Sequence, residues 1–188
     1  VYNANKPIEA ALEDYLLPGR GVVWVVYDPV FVKEMVEIEQ INEFGERVII
    51  EIEEERVAEQ RCYFDYVHWE DYRENPAKRP EDVNWKARRH LWTRDQLKEK
   101  GFSSVNDIPL NWSPDTDENN YEAEEVFKRA EIWEIWDRVK EKRYYVVKGY
   151  DKVIRVDDDP YELEGFYPTP TPMLAVRTND TSVPIPEF

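Results

Sequence analysis

The pattern of apolar and polar positions predicts one short helix followed mainly by strands. Over residues 3–17, one face at helical spacing is apolar: Ile8, Ala11, Leu12 and Tyr15. The sequence Pro-Gly-Arg-Gly at residues 18–21 ends this helix, because proline cannot continue it and glycine permits a sharp turn. Residues 22–27 are almost continuously apolar, which predicts a strand buried on both faces and ended by Pro29.

Residues 34–57 alternate between aliphatic residues and glutamates. The aliphatic positions flank a turn at residues 42–45 and are Val36, Ile38, Val48, Ile50 and Ile52. Because successive side chains of a strand point to opposite faces, this pattern predicts a hairpin with an acidic outer face and one apolar face. Residues 62–69 then predict an aromatic-rich strand.

The second half of the chain predicts short strands and helices joined by polar loops. Thr93 and Gln96 match a capping box, which predicts a short helix that stops at Gly101. Strands are predicted at residues 85–92, 132–139, 144–148 and 153–156, the second and third as a hairpin around a charged turn at 140–142. One helical turn is predicted at residues 80–83, a loop at 103–120 and a short helix at 121–128.

Together these elements predict an α+β fold: a mixed or antiparallel sheet with aromatic-rich hairpins and a few short helices. We expect one domain over residues 1–165 and a proline-rich, extended segment over residues 166–188, since proline disfavours helix. Seven Trp, twelve Tyr and seven Phe supply enough buried area for a core in a chain of 188 residues.

The chain carries 41 acidic and 25 basic residues, a net charge of −16. Such a surface repels nucleic-acid phosphates, and the densest basic run, at residues 86–90, is too short to grip DNA. An acidic surface is compatible with a position next to DNA to which it does not bind, because like charges repel. Cys62 is the only cysteine, which excludes an internal disulfide, and no apolar run is long enough to span a bilayer.

Residues 66–73 concentrate the residue types of an active site: three aromatics, a histidine, two carboxylates and an arginine. His68 with Glu70 and Asp71 has the composition of a general base or of a partial metal site. On a strand, however, His68 and Glu70 share one face and Asp71 lies on the other, and His90 is the only further histidine. An aromatic strand with an exposed polar end is therefore the favoured interpretation.

Other candidate sites also have simpler structural explanations. The aspartates at residues 157–159 lack the spacing of a calcium loop and predict a solvated turn. Residues 18–21 follow a helix and lack the Gly-Lys-Ser/Thr ending of a phosphate loop. The acids of residues 34–59 are expected to face water instead of forming a glycosidase pair. Ion pairs across the sheet are expected for the basic residues Lys86, Arg88, Arg89 and His90. We therefore predict no catalytic, cofactor-binding or metal-binding residue.

Five stretches of the chain resemble, in order and spacing, the portal proteins of tailed bacteriophages, the head-to-tail connectors of short-tailed phages and related prophages. They are residues 11–21 (ALEDYLLPGRG), 66–73 (YVHWEDYR), 85–89 with 93–97 (WKARR and TRDQL), 131–137 (EIWEIWD) and 163–168 (LEGFYP). The resemblance covers nearly the whole chain. The acidic hairpin of residues 34–57 matches least well.

The resemblance implies a structural protein of the virion, assembled in the host bacterial cytoplasm, with no catalytic residues and no cofactor. Its copies, usually twelve, form a ring at one capsid vertex, and DNA passes through the ring without sequence-specific binding. The implied partners are further copies of the same protein, the terminase, capsid and scaffolding proteins, and tail-adaptor proteins, with no membrane. The chain is expected to be a central fragment from the wing region, monomeric alone, whose proline-rich end leads toward a missing stem or clip.

Two other functional classes remain open at this point. An acidic protein-interaction module of the DNA-mimic type needs acids spaced like phosphates on one convex face. A carboxylate-based hydrolase needs a concave pocket that gathers His68, Glu70 and a distant acid.

Overall fold

The computed structural model describes residues 4–41, 45–114, 127–159, 161–178, 181 and 183–186, and the predicted α+β class is confirmed. Two antiparallel sheets contain most of the regular structure. The elements are α1 (Asn5–Leu16), β1 (Arg20–Ile41), β2 (Arg47–Val67), β3 (Tyr72–Glu74), β4 (Trp85–Trp92), α2 (Arg94–Glu99), β5 (Ala130–Asp137), β6 (Lys142–Val147), β7 (Val153–Asp158) and β8 (Met173–Leu174). No helix within the described ranges is long and apolar enough to cross a membrane.

The first sheet is dominated by one very long hairpin. Strands β1 and β2 pair from Val22 opposite Val67 at the base to Ile41 opposite Arg47 near the tip, with one irregularity next to Val30. β8 adds two residues to the outer edge of β1 at the base. The outer part of the hairpin, residues 31–41 and 47–57, is largely exposed and is called the arm below.

The two faces predicted for the arm are confirmed by its register. Val36 lies opposite Ile52, and Ile38 lies opposite Ile50, so these aliphatic side chains share one face. The glutamates between them, such as Glu37, point to the other face and are exposed. The predicted turn itself falls largely at residues 42–44, outside the described part of the chain.

Pro29 does not end the first strand, contrary to the prediction. It pairs in register with Gln60, and β1 continues to Ile41. Val25 donates its backbone N–H to the carbonyl of Pro168 on the outer edge of β1. Because backbone N–H groups alternate in direction along a strand, the nitrogen of Pro29 points to the same outer edge, where no ladder hydrogen bond is lost.

The prediction that residues 22–27 are buried on both faces is also wrong. Val22 and Trp24 are buried against the second sheet, whereas Val25 is half-buried and Tyr27 is exposed. α1 and the C-terminal segment cover the outer face of this segment in part.

Helix α1 rests directly on β1 at Gly21. A Cβ atom at that position would lie 2.0 Å from the carbonyl oxygen of Ala11, so only glycine permits the approach. Ala11 is buried there, while Ile8 and Leu12 on the predicted apolar face remain 38% and 43% exposed. The Pro-Gly-Arg-Gly turn thus ends α1 and also folds the chain back so that α1 packs on β1, the strand that follows it.

The second sheet has the strand order β3-β4-β5-β6-β7 and follows the sequence predictions closely. β4 has its predicted bounds, β5 and β6 form the predicted hairpin, and the capping box of Thr93 and Gln96 opens α2. The predicted helical turn is a 3-10 turn at Pro80–Asp82. The short helix predicted at residues 121–128 and the end of the preceding loop lie almost wholly outside the described residues.

Two buried clusters pack on one face of this second sheet. The first lies under α2 and contains Leu97, Phe102, Val105, Ile108, Ala130, Ile132, Tyr145 and Val147. The second lies between the sheets and contains Val22, Trp24, Val67, Tyr72, Trp136 and Phe166. Each large apolar side chain that is fully buried in this way stabilises the fold by about 1.5–3 kcal/mol.

The segment after residue 165 runs back along the base of the hairpin. Phe166 belongs to the second cluster, and Pro168 is fully buried. Thr169 donates its hydroxyl hydrogen to the carbonyl of Val23 at 2.8 Å. The proline-rich part is not helical, as predicted, and it adds β8 to the edge of β1.

Candidate functional site

Residues 66–73 form the joint between the hairpin and the second sheet. β2 ends at Val67, Trp69–Asp71 form a 3-10 turn, and β3 begins at Tyr72. The strand predicted to reach Trp69 is therefore two residues shorter. The strand alternation assumed for His68 does not apply, because the chain turns there.

Asp14 of α1 holds the start of this turn. Its carboxylate accepts hydrogen bonds from the hydroxyl of Tyr66 at 2.7 Å and from the backbone N–H of Trp69 at 3.0 Å. Burial raises the pKa of the Tyr66 hydroxyl, and the adjacent Asp14 carboxylate raises it further. Tyr66 is therefore a protonated donor that ties the hairpin to the helix.

The three candidate site residues of this joint, His68, Glu70 and Asp71, do not converge on one point. His68 accepts a hydrogen bond from the backbone N–H of Glu70 at 3.3 Å, and both side chains are exposed. Asp71 turns away and accepts from the Nε of Arg89 at 2.7 Å. The His68 ring contacts the ring of Trp69, with centroids 5.7 Å apart. This geometry contains no general base held by a carboxylate and matches an exposed polar strand end.

A buried, charged site is centred on Glu134, in the middle of the second sheet. Its side chain is 2% exposed and lies between the two apolar clusters. One carboxylate oxygen accepts from Arg88 Nε at 2.7 Å and contacts His90 Nε2 at 2.8 Å. The other accepts from the indole N–H of Trp136 at 2.9 Å, with Arg143 3.8 Å away. Three neighbours thus contact the carboxylate directly, and a fourth lies nearby.

The electrostatics of this site keep Glu134 ionised. Burial by itself would raise its pKa, but Arg88 and His90 outweigh burial and hold the pKa of Glu134 well below its usual range. Burial lowers the pKa of His90, against the opposing hydrogen bond to Glu134. A neutral His90 that carries its proton on Nε2 donates to the carboxylate, so Arg88 supplies the main countercharge.

A polar cleft of about 460 Å³ opens beside this site, between the second sheet and the base of the hairpin. Cations lie over aromatic rings along it: Arg88 over Trp24, Arg143 over Trp136, Lys100 over Trp92 and Arg155 over Phe102. These cations are matched by the carboxylates Asp28, Asp65, Glu134 and Asp157, which line the cleft or pair with its walls. Of these ion pairs, Arg88 with Asp65 at 3.4 Å joins the two sheets, and the pairs of Arg143 and Arg155 with Asp157 lie within the second sheet.

The ion pairs predicted for the basic residues of β4 are present for two of the four, Arg88 and Arg89, and His90 forms a neutral hydrogen bond instead. Arg88 and His90 contact Glu134, and Arg89 contacts Asp71. Lys86 instead places its ammonium 4.8 Å from the centre of the Tyr167 ring. Burial lowers the pKa of Lys86, and the nearby carboxylate of Glu74 offsets this effect only in part.

The turn predicted at residues 157–159 needs a correction. β7 extends through Asp158 and sets Asp157 opposite Arg143, where the two side chains pair at 2.6 Å. Asp157 also pairs with Arg155 at 2.8 Å and is only 19% exposed, so it belongs to the sheet and not to a solvated turn. Among the residues that the structure describes, no group of three His, Cys, Asp or Glu side chains is arranged to hold a metal ion.

Sequence reasoning missed Glu134 and Asp14 as organising residues. A usable signal existed for Glu134, because it shares one strand face with Ile132 and Trp136, and a carboxylate between two core residues needs a buried partner. No comparable signal marked Asp14, whose partner Tyr66 lies 52 residues further along the chain.

Five short stretches noted in the sequence, at residues 11–21, 66–73, 85–89, 131–137 and 163–168, contact one another in space. The contacts are Asp14 with Tyr66, Asp71 with Arg89, Arg88 with Glu134, Trp136 with Phe166, and Lys86 with Tyr167. They join α1, the hairpin base, the second sheet and the C-terminal segment. The chain matches no protein-family model. A search of curated proteins also finds no significant match.

Proposed function

We propose that this chain is a structural part of a tailed-bacteriophage portal protein, a component of the ring at the capsid vertex through which DNA is packaged and ejected. The observation that carries the proposal is the network of contacts among the five resembling stretches. Each stretch alone is a short match. In the fold the five stretches are neighbours, as the segments of one structural unit would be.

The use of the polar residues also supports a structural role. Glu134 is contacted by Arg88, His90 and Trp136, and Asp71 is paired with Arg89. These groups connect strands and sheets. A ring subunit must keep its shape while DNA and motor forces act on it, and such links between elements serve that need.

Surface charge is the second supporting feature. The net charge of −16 disfavours adhesion to DNA, which suits a protein that DNA must slide past. In the proposed ring, the acidic face of the arm faces the channel. A ring structure with residues 34–57 on its outer rim would exclude this orientation.

The proposed partners are those of a portal ring: further copies of the same protein, the terminase, capsid and scaffolding proteins, and tail adaptors. The test is electron microscopy of the full-length product that contains this chain. We expect rings with a central hole, usually of twelve subunits, and co-sedimentation of the rings with terminase. Residues 1–188 alone are expected to sediment as a monomer or as a weakly associated species, without a stable ring.

Two outcomes would contradict the proposal. The first is a folded full-length product that forms no rings over a wide range of salt and protein concentration. The second is tight capture of a DNA-binding enzyme by the isolated chain with competition by duplex DNA, which would indicate a DNA-mimic module instead.

A further inference from the structure

The arm has more exposed apolar surface than a free hairpin supports. Its aliphatic face, called the apolar stripe, consists of Val36, Ile38, Val48, Ile50 and Ile52, each half-buried or exposed. The acidic face adds Met35 and Ile49, which are 63% and 64% exposed. The apolar stripe is contiguous along one face of the arm, and contiguous exposed apolar surface marks an interaction site.

The arm is also weakly held by its own contacts. Glu37 stands directly opposite Glu51, and Glu34 stands opposite Glu54, which places like charges in adjacent positions. The compensating ion pairs, such as Arg56 with Glu34 at 3.6 Å, are exposed and therefore weak. Along the arm, neither strand has a third strand beside it among the described residues. A two-stranded hairpin in this situation is marginally stable in water, so a partner is needed to cover it.

The size of the arm fits a neighbouring copy of the same chain. Eleven residues per strand at about 3.3 Å each give a reach of roughly 36 Å, close to the diameter of a small domain. Stripe-on-stripe pairing of two arms would set Glu34 and Glu54, which share the face of the apolar stripe, against the same two glutamates of a partner. A closed ring instead needs two different surfaces that fit each other, one from each neighbour.

The body offers a second apolar surface of suitable character. A groove of about 870 Å³ lies against the outer face of the hairpin base, and its apolar walls include Val25, Phe64, Leu163, Tyr167, Pro168 and Pro170. Phe64 and Leu163 are 41% and 40% exposed. Lys86 and Arg138 also line the groove, so the glutamates beside the apolar stripe would meet cations there as well as two acids, Glu81 and Glu164.

We infer that the apolar stripe of one copy docks into this groove of the next copy around the ring. This inference rests on the proposed function and adds the contact that links the subunits. It leaves the acidic face of the arm turned away from the neighbour, because the two faces of a strand pair point in opposite directions. The docked arm gains the apolar cover that the isolated chain does not give it.

Cross-linking of the full-length product tests the contact. Cys62 is the only cysteine of this chain and is exposed, so Cys62→Ser (together with replacement of any cysteine elsewhere in the product) provides a cysteine-free background. The double variant Ile38→Cys with Leu163→Cys, treated with a short bis-maleimide, should give cross-linked oligomers larger than the dimer that persist in denaturant. Larger oligomers are expected because each subunit uses two different surfaces. The matched control, Glu37→Cys with Leu163→Cys, places the thiol on the opposite face and should give at least tenfold less product.

A second pair of variants tests how strongly the docked arm contributes to ring assembly. Ile38→Glu with Ile52→Glu should raise the protein concentration needed for ring assembly at least tenfold, while thermal unfolding of the subunit changes little. Glu37→Gln with Glu51→Gln, on the other face, should assemble as the native protein does.

The outcomes separate the inference from the proposed function. If electron microscopy shows rings, three results would overturn the inference and leave the portal proposal standing. They are the absence of cross-linked species, cross-linked dimers only, and normal assembly of the variant with both Ile38→Glu and Ile52→Glu. Cross-links of Ile38→Cys to a capsid or scaffolding protein, without self-cross-links, would overturn the second copy as occupant. Absence of rings would overturn both.

Discussion

At the scale of single residues, a buried carboxylate controls how the two apolar clusters meet. Glu134 sits between them with Arg88, His90 and Trp136 as its direct neighbours. A buried charge costs desolvation free energy, which only close partners offset. Removal of the carboxylate would destabilise the fold, because Arg88 would then be buried without its main countercharge.

We therefore expect Glu134→Gln to lower the free energy of unfolding by roughly 3–5 kcal/mol, the usual effect of breaking a buried ion pair. Urea denaturation followed by tryptophan fluorescence measures this change. Glu51→Gln on the exposed arm is the matched control and should change stability by less than about 0.5 kcal/mol. Equal effects of the two substitutions would show that the charge of Glu134 does not matter for stability.

The titration of His90 makes stability depend on pH. Burial holds its pKa in the fold below the usual 6.5, with Glu134, Arg88 and Lys100 as the charged groups around it. Between the lower pKa of His90 in the fold and its pKa of 6.5 in the unfolded chain, the unfolded chain binds more protons. The free energy of unfolding therefore falls as pH decreases below 6.5. Glu134 has a folded pKa below 4.5, so its contribution is present above pH 4.5 and is lost as pH falls further.

His90→Gln should remove the loss of stability that begins below pH 6.5, because an amide still donates a hydrogen bond to Glu134 but does not titrate. Urea midpoints of the native chain and of His90→Gln at pH 7, 6 and 5 provide the measurement. The difference between the two proteins isolates His90 from the general effect of neutralising acids. Parallel pH profiles would contradict the assignment of a neutral, buried His90.

At the scale of elements, the joints between helix, hairpin and sheet decide the architecture. α1 contacts β1 through backbone at Gly21, and Asp14 then orients the end of β2 through Tyr66. The second sheet continues from this turn through Asp71 and Arg89. A change at a joint should therefore affect stability more than a change within the arm.

Gly21→Ala tests the tightest joint. A Cβ atom 2.0 Å from the Ala11 carbonyl oxygen forces α1 away from β1, so we expect a loss of several kcal/mol or failure to fold, beyond the usual 1–3 kcal/mol of overpacking. Gly149→Ala is the control, because its Cβ meets nothing within 4 Å and only its positive φ costs about 1–2 kcal/mol. Circular dichroism and thermal unfolding compare them. A Gly21→Ala variant as stable as Gly149→Ala would disprove the close packing.

At the scale of the whole molecule, charge governs encounters with nucleic acid. We expect the isolated chain to leave duplex DNA unretarded in a gel-shift assay at about 150 mM salt, because its net charge is −16 and the arginines of its cleft are paired with carboxylates. Replacement of Glu37, Glu39, Glu51 and Glu53 by lysine, on the acidic face of the arm, should create retention at low salt that is lost as salt increases. Salt-sensitive retention by the native chain would contradict the proposed non-adhesive surface.

The sequence by itself determined the features that depend on near neighbours. The bounds of β4, the capping box of α2, the β5–β6 hairpin and the two faces of the arm follow from side-chain alternation and turn chemistry within a few residues. These signals are local, so no knowledge of the remaining chain is needed to interpret them.

Only the tertiary structure decided the features that depend on distant residues. Glu134 meets Arg88 across 46 positions and His90 across 44, and Asp14 meets Tyr66 across 52. The passage of β1 through Pro29 depends on which strand edge lies free, and the length of the arm depends on the pairing of two separately predicted segments. Burial and pairing across such distances arise when elements pack, and local periodicity carries no information about which elements will meet.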